Sequence, residues 1–161
     1  MTLAPQKERT FFVTSVTVRR KLLFRSRSFC QLVMDVFREN RSKKRLLLHE
    51  FVIMPNHFHA ILTPAHDVSV EKVMQCIKGG FSSLATEKLR FDDEIWQRGF
   101  TQHRIKDTGD YTAHVDYIWN NPVRARLVLR PQQYPYSSAR RRDLVDPAPA
   151  WAKKRFVAGM G

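Results

Sequence analysis

Two stretches of this sequence bring together residue types that could do chemistry. In "MPNHFHAIL" (54 to 62), His57 and His59 stand one residue apart inside an apolar run, directly after a Met-Pro-Asn that reads as a turn. Side chains alternate along a strand, so His57, His59 and Ile61 share one face while Phe58, Ala60 and Leu62 share the other. Two neutral imidazoles on neighbouring positions of one face can converge on a single ion. The same spacing also suits a half-exposed strand whose imidazoles hydrogen-bond to water, so a third ligand has to be found.

The second stretch is "HVDYIWNNPVRARLV" (114 to 128). Tyr117 and Asn121 lie four apart and share a helix face, which sets a phenol beside an amide oxygen: one nucleophile, one ligand. Pro122 pushes the residue before it away from helical backbone, which places Asn121 at the last turn of one helix or the cap of the next. Tyr117 taken alone reads as a core aromatic. Tyr111 points to a different side of the same helix and serves as a control. His49, His66, His103 and His114 belong to no spacing motif. Cys30 and Cys76 stand far apart without a Cys-x-x-Cys and read as buried reduced thiols.

The elements that must position these residues follow from periodicity. "TFFVTSVTV" (10 to 18) reads as a first strand. Ser28 is placed to cap a helix with Phe29, Leu32, Val33, Val36 and Phe37 on one apolar face. "LLLHEFVIM" (46 to 54) and "HFHAILT" (57 to 63) make a hairpin around Pro55-Asn56. A second helix follows Pro64 and Asp67, weakened at Gly79-Gly80. Residues 94 to 107 read as a strand or strand pair bent at Gly99, and a third helix runs from about Asp107 to Asn120, where Pro122 stops it. The order β-α-β-β-α-β-α is that of an α+β, ferredoxin-like split β-α-β sheet with helices packed on it. In that topology the third strand is internal, so the histidine strand sits at the sheet centre. The expected division is a domain over 1–140 and a basic, Pro-containing tail over 141–161 with little core of its own.

Charge indicates the partner. Against 15 Asp and Glu the 161 residues carry 28 Lys and Arg, a formal +13, spread along the whole chain and not gathered in one tail. Such an excess on a folded body suits a phosphate-rich polyanion. No apolar run approaches a membrane span, no segment combines a basic face with a wide apolar one, and no signal peptide is evident, so the expected compartment is the cytoplasm.

"FFVTSV", "FVIMPNHFHAIL", "MQCIKGGFS", "IWQRGFTQHRI", "YIWNNPVRARLV" and "YPYSSA" occur here in an order and spacing that resemble the REP-associated tyrosine transposases, a branch of the single-tyrosine HUH transposases. The resemblance covers roughly residues 10 to 140 and implies an HUH nuclease fold. It implies His57 and His59 as metal ligands, Asn121 as the third ligand, Tyr117 as the nucleophile, and Mg2+ or Mn2+ as the ion. On ligand softness alone, two imidazoles plus an amide would suit zinc or manganese better than magnesium. The implied partner is single-stranded DNA from hairpin-forming repeats.

Attack by Tyr117 on a phosphodiester would leave a 5′-phosphotyrosine and a free 3′-hydroxyl, keeping the bond energy for rejoining without a nucleotide cofactor. No Walker-type loop is present, in keeping with that economy. Lys78, Arg98, Arg104, Lys106, Arg124 and Arg126 are the expected DNA contacts, with the aromatics of "IWQRGFTQHRIK" stacking bases. Two other readings stay open: a non-catalytic nucleic-acid-binding protein of the same fold, and a structural zinc protein, which would call for a closed four-ligand set. A monomer is favoured over a dimer because nothing marks a swapped helix.

Overall fold

The computed structural model describes residues 2–6 and 9–152. Seven main elements follow one another: β1 (Phe11–Val16), α1 (Arg27–Ser42), β2 (Leu46–Met54), β3 (His57–Pro64), α2 (Val70–Leu89), β4 (Thr101–Arg104) and α3 (Thr108–Arg124). The strands form one antiparallel sheet in the order β2-β3-β1-β4, with the two central strands paired Thr14 to His59 and Val16 to His57. The histidine strand is therefore internal, and the expected α+β split β-α-β topology holds.

Both faces of the sheet are covered. Val13, Phe51, Ile53, Phe58, Ala60 and Leu62 pack against the apolar sides of α1 and α2. On the opposite face Val52, Met54 and Ile61 pack against Tyr111, Val115 and Ile118 of α3. Alternation assigns the histidines to the α3 face, so the one helix that carries Tyr117 and Asn121 is also the one laid across them.

Helix limits depart from the sequence expectation in three places. Ser26, not Ser28, caps α1: its extended backbone lets its Oγ accept from the Phe29 amide at 3.4 Å, whereas Ser28 is already inside the first turn. α2 runs unbroken through Gly79-Gly80, held by buried Ile77 and Phe81 on either side. α3 continues through Pro122 to Arg124. Proline forfeits one backbone bond, but it does so in the last turn, where Pro122 is buried with Ile118, and the Ala125 and Leu127 amides close the end on the Asn121 and Pro122 carbonyls. The expected strand over 94–107 contracts to β4, preceded by a bend at Gly99 (φ 78°) and a single bridge between Trp96 and Thr17.

The chain after Arg130 is folded onto the body, and this holds for the expected 141–161 tail as far as residue 152. β2 is an edge strand whose outward amides and carbonyls need partners. The Ile53 amide donates to the Tyr136 carbonyl, the Phe51 amide to Ser138 Oγ and the Leu48 amide to Asp146, while the Ser138 and Asp146 amides donate back to the Phe51 and Leu48 carbonyls. Tyr134, Leu144 and Ala152 are buried beside this edge. The remainder of the expected tail, 153–161, lies outside the described residues.

A bulge in β2 makes one further attachment. The register slips between Leu48 and Glu50, so His49 is the extra residue and sits on the α3 face. His49 Nδ1 lies 2.7 Å from the Pro147 carbonyl, which can only accept, and its Nε2 lies 2.8 Å from Thr63 Oγ1, which in turn lies 2.8 Å from Thr10 Oγ1. One chain of donors thus runs from Thr10 through Thr63 and His49 to Pro147. Burial, against a smaller opposing pull from Pro147 and Asp146, lowers the His49 pKa from 6.5 to about 4. The unfolded chain takes up this proton first as pH falls. The stabilisation is complete above about pH 6.5 and lost by about pH 4, a change of about 3 kcal/mol. Urea unfolding of wild type and His49→Gln across that window should show their stability difference shrinking toward acid. A difference that does not change with pH would show that His49 is not the titrating group.

Candidate active site

The site is built from the centre of the sheet outward. His57 opens β3 and is half-buried; His59, two residues on, is buried. Their ring centroids lie 4.8 Å apart. Each ring has its Nδ1 engaged: His57 donates to Asn56 Oδ1 at 2.7 Å, and His59 Nδ1 lies 2.7 Å from Thr14 Oγ1 on the neighbouring strand. Asn56 Oδ1 can only accept, which leaves the His57 Nε2 lone pair for a ligand role. Burial, then Arg20, lowers the His57 pKa; burial, then His57, lowers that of His59 to about 3. Both imidazoles are neutral near pH 7, as ion ligands must be.

Asn56 is itself fixed by the β1–α1 loop. The Thr17 amide and Thr17 Oγ1 both reach the Asn56 carbonyl, at 3.0 Å each, so the hairpin turn cannot drift from β1. Neither Thr14 nor Asn56 was singled out from sequence. The Asn before a His-x-His was visible as part of a turn, but Thr14 is 45 residues away and only strand pairing brings it to His59.

α3 approaches this face with two parallel stripes. Tyr111, Val115, Ile118 and Pro122 form the buried one. One position ahead along the helix, Asp110, His114, Tyr117 and Asn121 repeat the same i, i+4, i+7, i+11 spacing and form a second stripe beside it. Tyr117 stands edge-on to His59 with centroids 5.3 Å apart and retains 40% exposure. The control residue Tyr111 is 2% exposed, and burial raises its hydroxyl pKa well above the ordinary phenol value. Two tyrosines of one helix are therefore sorted, one into the core and one beside the histidines. Asn121 is half-buried one turn beyond Tyr117.

Phe12 is a third component that sequence reading passed over. Its ring stacks on His59 at 5.1 Å, meets His114 at 4.7 Å and meets Tyr117 edge-on at 5.9 Å. It separates the paired histidines from another group of potential ligands: His103, Asp110 and His114 offer atoms that all lie within 4.8 Å of one another.

The expected basic contacts divide. The Arg124 guanidinium lies over the Tyr117 ring at 4.7 Å and donates to the Tyr117 carbonyl, so it belongs to the site. Arg126 is exposed just beyond α3, in left-handed backbone. Arg98 lines a shallow pocket of about 200 Å³ with Thr14, Val16 and Phe100. Arg104 and Lys106 are exposed on and after β4. Lys78 lies on α2, packed on the far side of the sheet, and its ammonium donates to the Gln97 and Gly99 carbonyls, which holds the Arg98 loop in place. Trp96, expected to stack bases, packs among Phe24, Phe58 and Phe81 and donates to the Lys78 carbonyl. Phe100 is half-buried against the same core and lines two surface pockets with its remaining face. A cavity of about 740 Å³ at the other end of the sheet, among Arg38, Arg41, Lys44 and His66, is lined by none of these residues.

Comparison with known proteins places this geometry. The family described as "Transposase IS200 like" matches residues 8–121. The REP-associated tyrosine transposase of Escherichia coli K12 is 30% identical over 132 residues, spanning 81% of this chain and 76% of that protein. The structure of a REP-associated tyrosine transposase bound to a REP hairpin superposes with a TM-score of 0.71 at 29% identity, covering 88% of this chain and 82% of that one. A crystal structure of a Deinococcus radiodurans protein, 14% identical with a TM-score of 0.53, covers 69% of this chain and 88% of that one and shares the fold alone.

Orientation of the two imidazoles is the property most open to test. Thr14→Val and Asn56→Ala each remove the partner of one Nδ1 while leaving the ring in place. Each should weaken Mn2+ binding, measured by calorimetry, about 10- to 100-fold without changing the circular dichroism of the protein. Unchanged affinity in both would show that these Nδ1 contacts do not orient the rings for a metal.

Proposed function

The chain belongs to the IS200-like transposases, and on that premise we propose that it is a metal-dependent endonuclease and strand transferase for single-stranded DNA, acting on hairpin-forming repeats through a phosphotyrosine. The observation that carries this reading is the sorting of α3: the Tyr117 phenol is half-exposed and edge-on to His59, while Tyr111 on the same helix is buried.

The residues present fit a divalent ion. His57 and His59 are neutral and pre-oriented through their Nδ1 atoms, and Asn121 supplies an amide oxygen from the same helix stripe as Tyr117. Mg2+ or Mn2+ held by His57, His59 and Asn121 would polarise the scissile phosphate and neutralise its growing charge.

The chain's own side chains do the rest. The Tyr117 hydroxyl gives its proton to solvent as its oxygen bonds to phosphorus, the bond from phosphorus to the leaving 3′ oxygen breaks, and that oxygen takes up a proton from solvent. The products are a 5′-phosphotyrosine on the protein and a free 3′-hydroxyl, ready for the reverse reaction with another strand. Arg124, lying across the Tyr117 ring, sets a fixed positive charge where the phosphate would arrive. Arg98, Arg104, Lys106 and Arg126 are exposed and would hold the backbone, while Phe100 offers a stacking surface and Lys78 steadies the Arg98 loop. The hairpin carried by the structural relative is the natural candidate substrate here too. Among the described residues no helix is long and apolar enough to cross a membrane.

Incubation of the protein with a 3′-labelled hairpin repeat and Mn2+ should give a labelled band that migrates with the protein after denaturation. Tyr117→Phe should lose that band entirely while still retarding the hairpin in a gel. EDTA should remove cleavage and leave most of the salt-sensitive binding. An adduct that persists in Tyr117→Phe would move the nucleophile elsewhere.

A further inference from the structure

His103, Asp110 and His114 lie outside the proposed catalytic set and come from two elements, the edge strand β4 and the first turns of α3. His103 Nε2 lies 2.8 Å from Asp110 Oδ2, and His114 Nδ1 lies 3.0 Å from Asp110 Oδ1. The two imidazoles stack with centroids 4.8 Å apart and a 20° tilt. One residue thus gathers two rings. His103 meets it through a carboxylate oxygen; His114 meets it through its Nδ1–H, which donates to the Asp110 main-chain carbonyl at 2.8 Å beside the other carboxylate oxygen and leaves Nε2 as its unprotonated nitrogen. All three side chains are half-buried.

Other groups fix the carboxylate before any ion arrives. The Lys106 amide donates to Asp110 Oδ2 at 2.9 Å, and the Asp110 amide is capped by Asp107 Oδ1 at 2.8 Å. The i, i+4 spacing of Asp110 and His114 aims both at the same side of α3, and antiparallel pairing of β4 with β1 sets His103 opposite Phe12. The 2.8 Å separation between Asp110 Oδ2 and His103 Nε2 matches neighbouring ligands in a coordination shell with bonds of about 2.0 to 2.2 Å.

We propose that His103, Asp110 and His114 form a second metal site, separate from the His57 and His59 pair, that takes an imidazole-seeking ion of the zinc class. Two nitrogens and one carboxylate favour zinc, nickel or cobalt over magnesium, which prefers an all-oxygen shell and keeps its water. On binding, each ring would offer its unprotonated nitrogen to the ion and keep its N–H on the other nitrogen, so no proton has to leave a neutral ring. Such an ion would tie the start of α3 to the sheet edge. His114 is one turn before Tyr117, and Phe12 touches both His114 and His59, so the tie acts on the helix that presents the phenol without touching the reacting atoms. These are positioning residues.

The test separates the two sites. A full-length protein carrying His57→Gln and His59→Gln, checked for folding by circular dichroism, is titrated with Zn2+ and separately with Co2+. It should retain one zinc per chain, give a visible cobalt absorption band, and resist displacement by millimolar Mg2+. Adding His103→Gln, or in a separate protein His114→Gln, should weaken zinc binding about 10-fold or more and remove the cobalt band. If the double variant does not fold, wild type should bind two zinc ions and the His103→Gln protein one. Loss of all zinc from the folded double variant, displacement by Mg2+, or a cobalt spectrum unchanged by His103→Gln would each overturn the proposal. None of these readouts depends on DNA cleavage, so failure here leaves the Tyr117 assay to be judged by itself.

Discussion

The seating of α3 on the histidine face of the sheet is the constraint from which the site follows. Tyr111, Val115, Ile118 and Pro122 bury a continuous stripe against Val52, Met54 and Ile61. That packing sets the rotational phase of the helix, because turning it would expose apolar area worth about 25 cal/mol per Å² and drive polar residues into the core. Once the phase is set, the adjoining stripe has no freedom: Asp110, His114, Tyr117 and Asn121 must lie along the border between sheet and solvent. A nucleophile needs both access to substrate and proximity to the centre of the sheet, and this border is where both are met.

The surroundings of the histidines are stiff for related reasons. His59 is held by Thr14 from one strand and packed by Phe12 from the same strand, and His57 is held by Asn56, itself fastened by Thr17. The chain after Arg130 reinforces the far side. It satisfies the open edge of β2 with backbone bonds and adds a buried network in which Trp119, Ser138 and Arg142 all donate to Glu50 Oε1 at 2.7 to 2.8 Å. Trp119 lies on α3, so the C-terminal segment and the nucleophile helix are tied through one carboxylate. Burying Glu50 would be costly alone; with three donors it becomes a fastening.

Not all of the excess positive charge is available to a polyanion. Arg9 is buried and donates to the carbonyls of Ala4, Ala65, His66 and Val68; Arg41 pairs with Asp146, and Arg142 with Glu50. These arginines serve the fold, where planar guanidinium geometry matches several acceptors at once. Arg98, Arg104, Lys106, Arg124 and Arg126 remain exposed on β4, its preceding loop and the end of α3. The +13 of the whole chain is thus a weaker guide to the nucleic-acid surface than the location of the exposed basic side chains.

Element order, the central position of the histidine strand and the shared face of Tyr117 and Asn121 could all be read from local patterns, because alternation and helical spacing act over a few residues. Sequence was also enough to set Tyr111 apart from Tyr117. Local rules failed where a distant contact outweighed them. Pro122 stays helical because it is buried against the sheet, the chain beyond Arg130 folds because β2 has an edge to satisfy, and Trp96 is drawn into the core by Phe24, Phe58 and Phe81. The pairings of His59 with Thr14 and of His103 with Asp110 and His114 were invisible for the same reason. They depend on which strands lie side by side and which face a helix covers, and those are settled only when the whole chain buries its apolar surface at once.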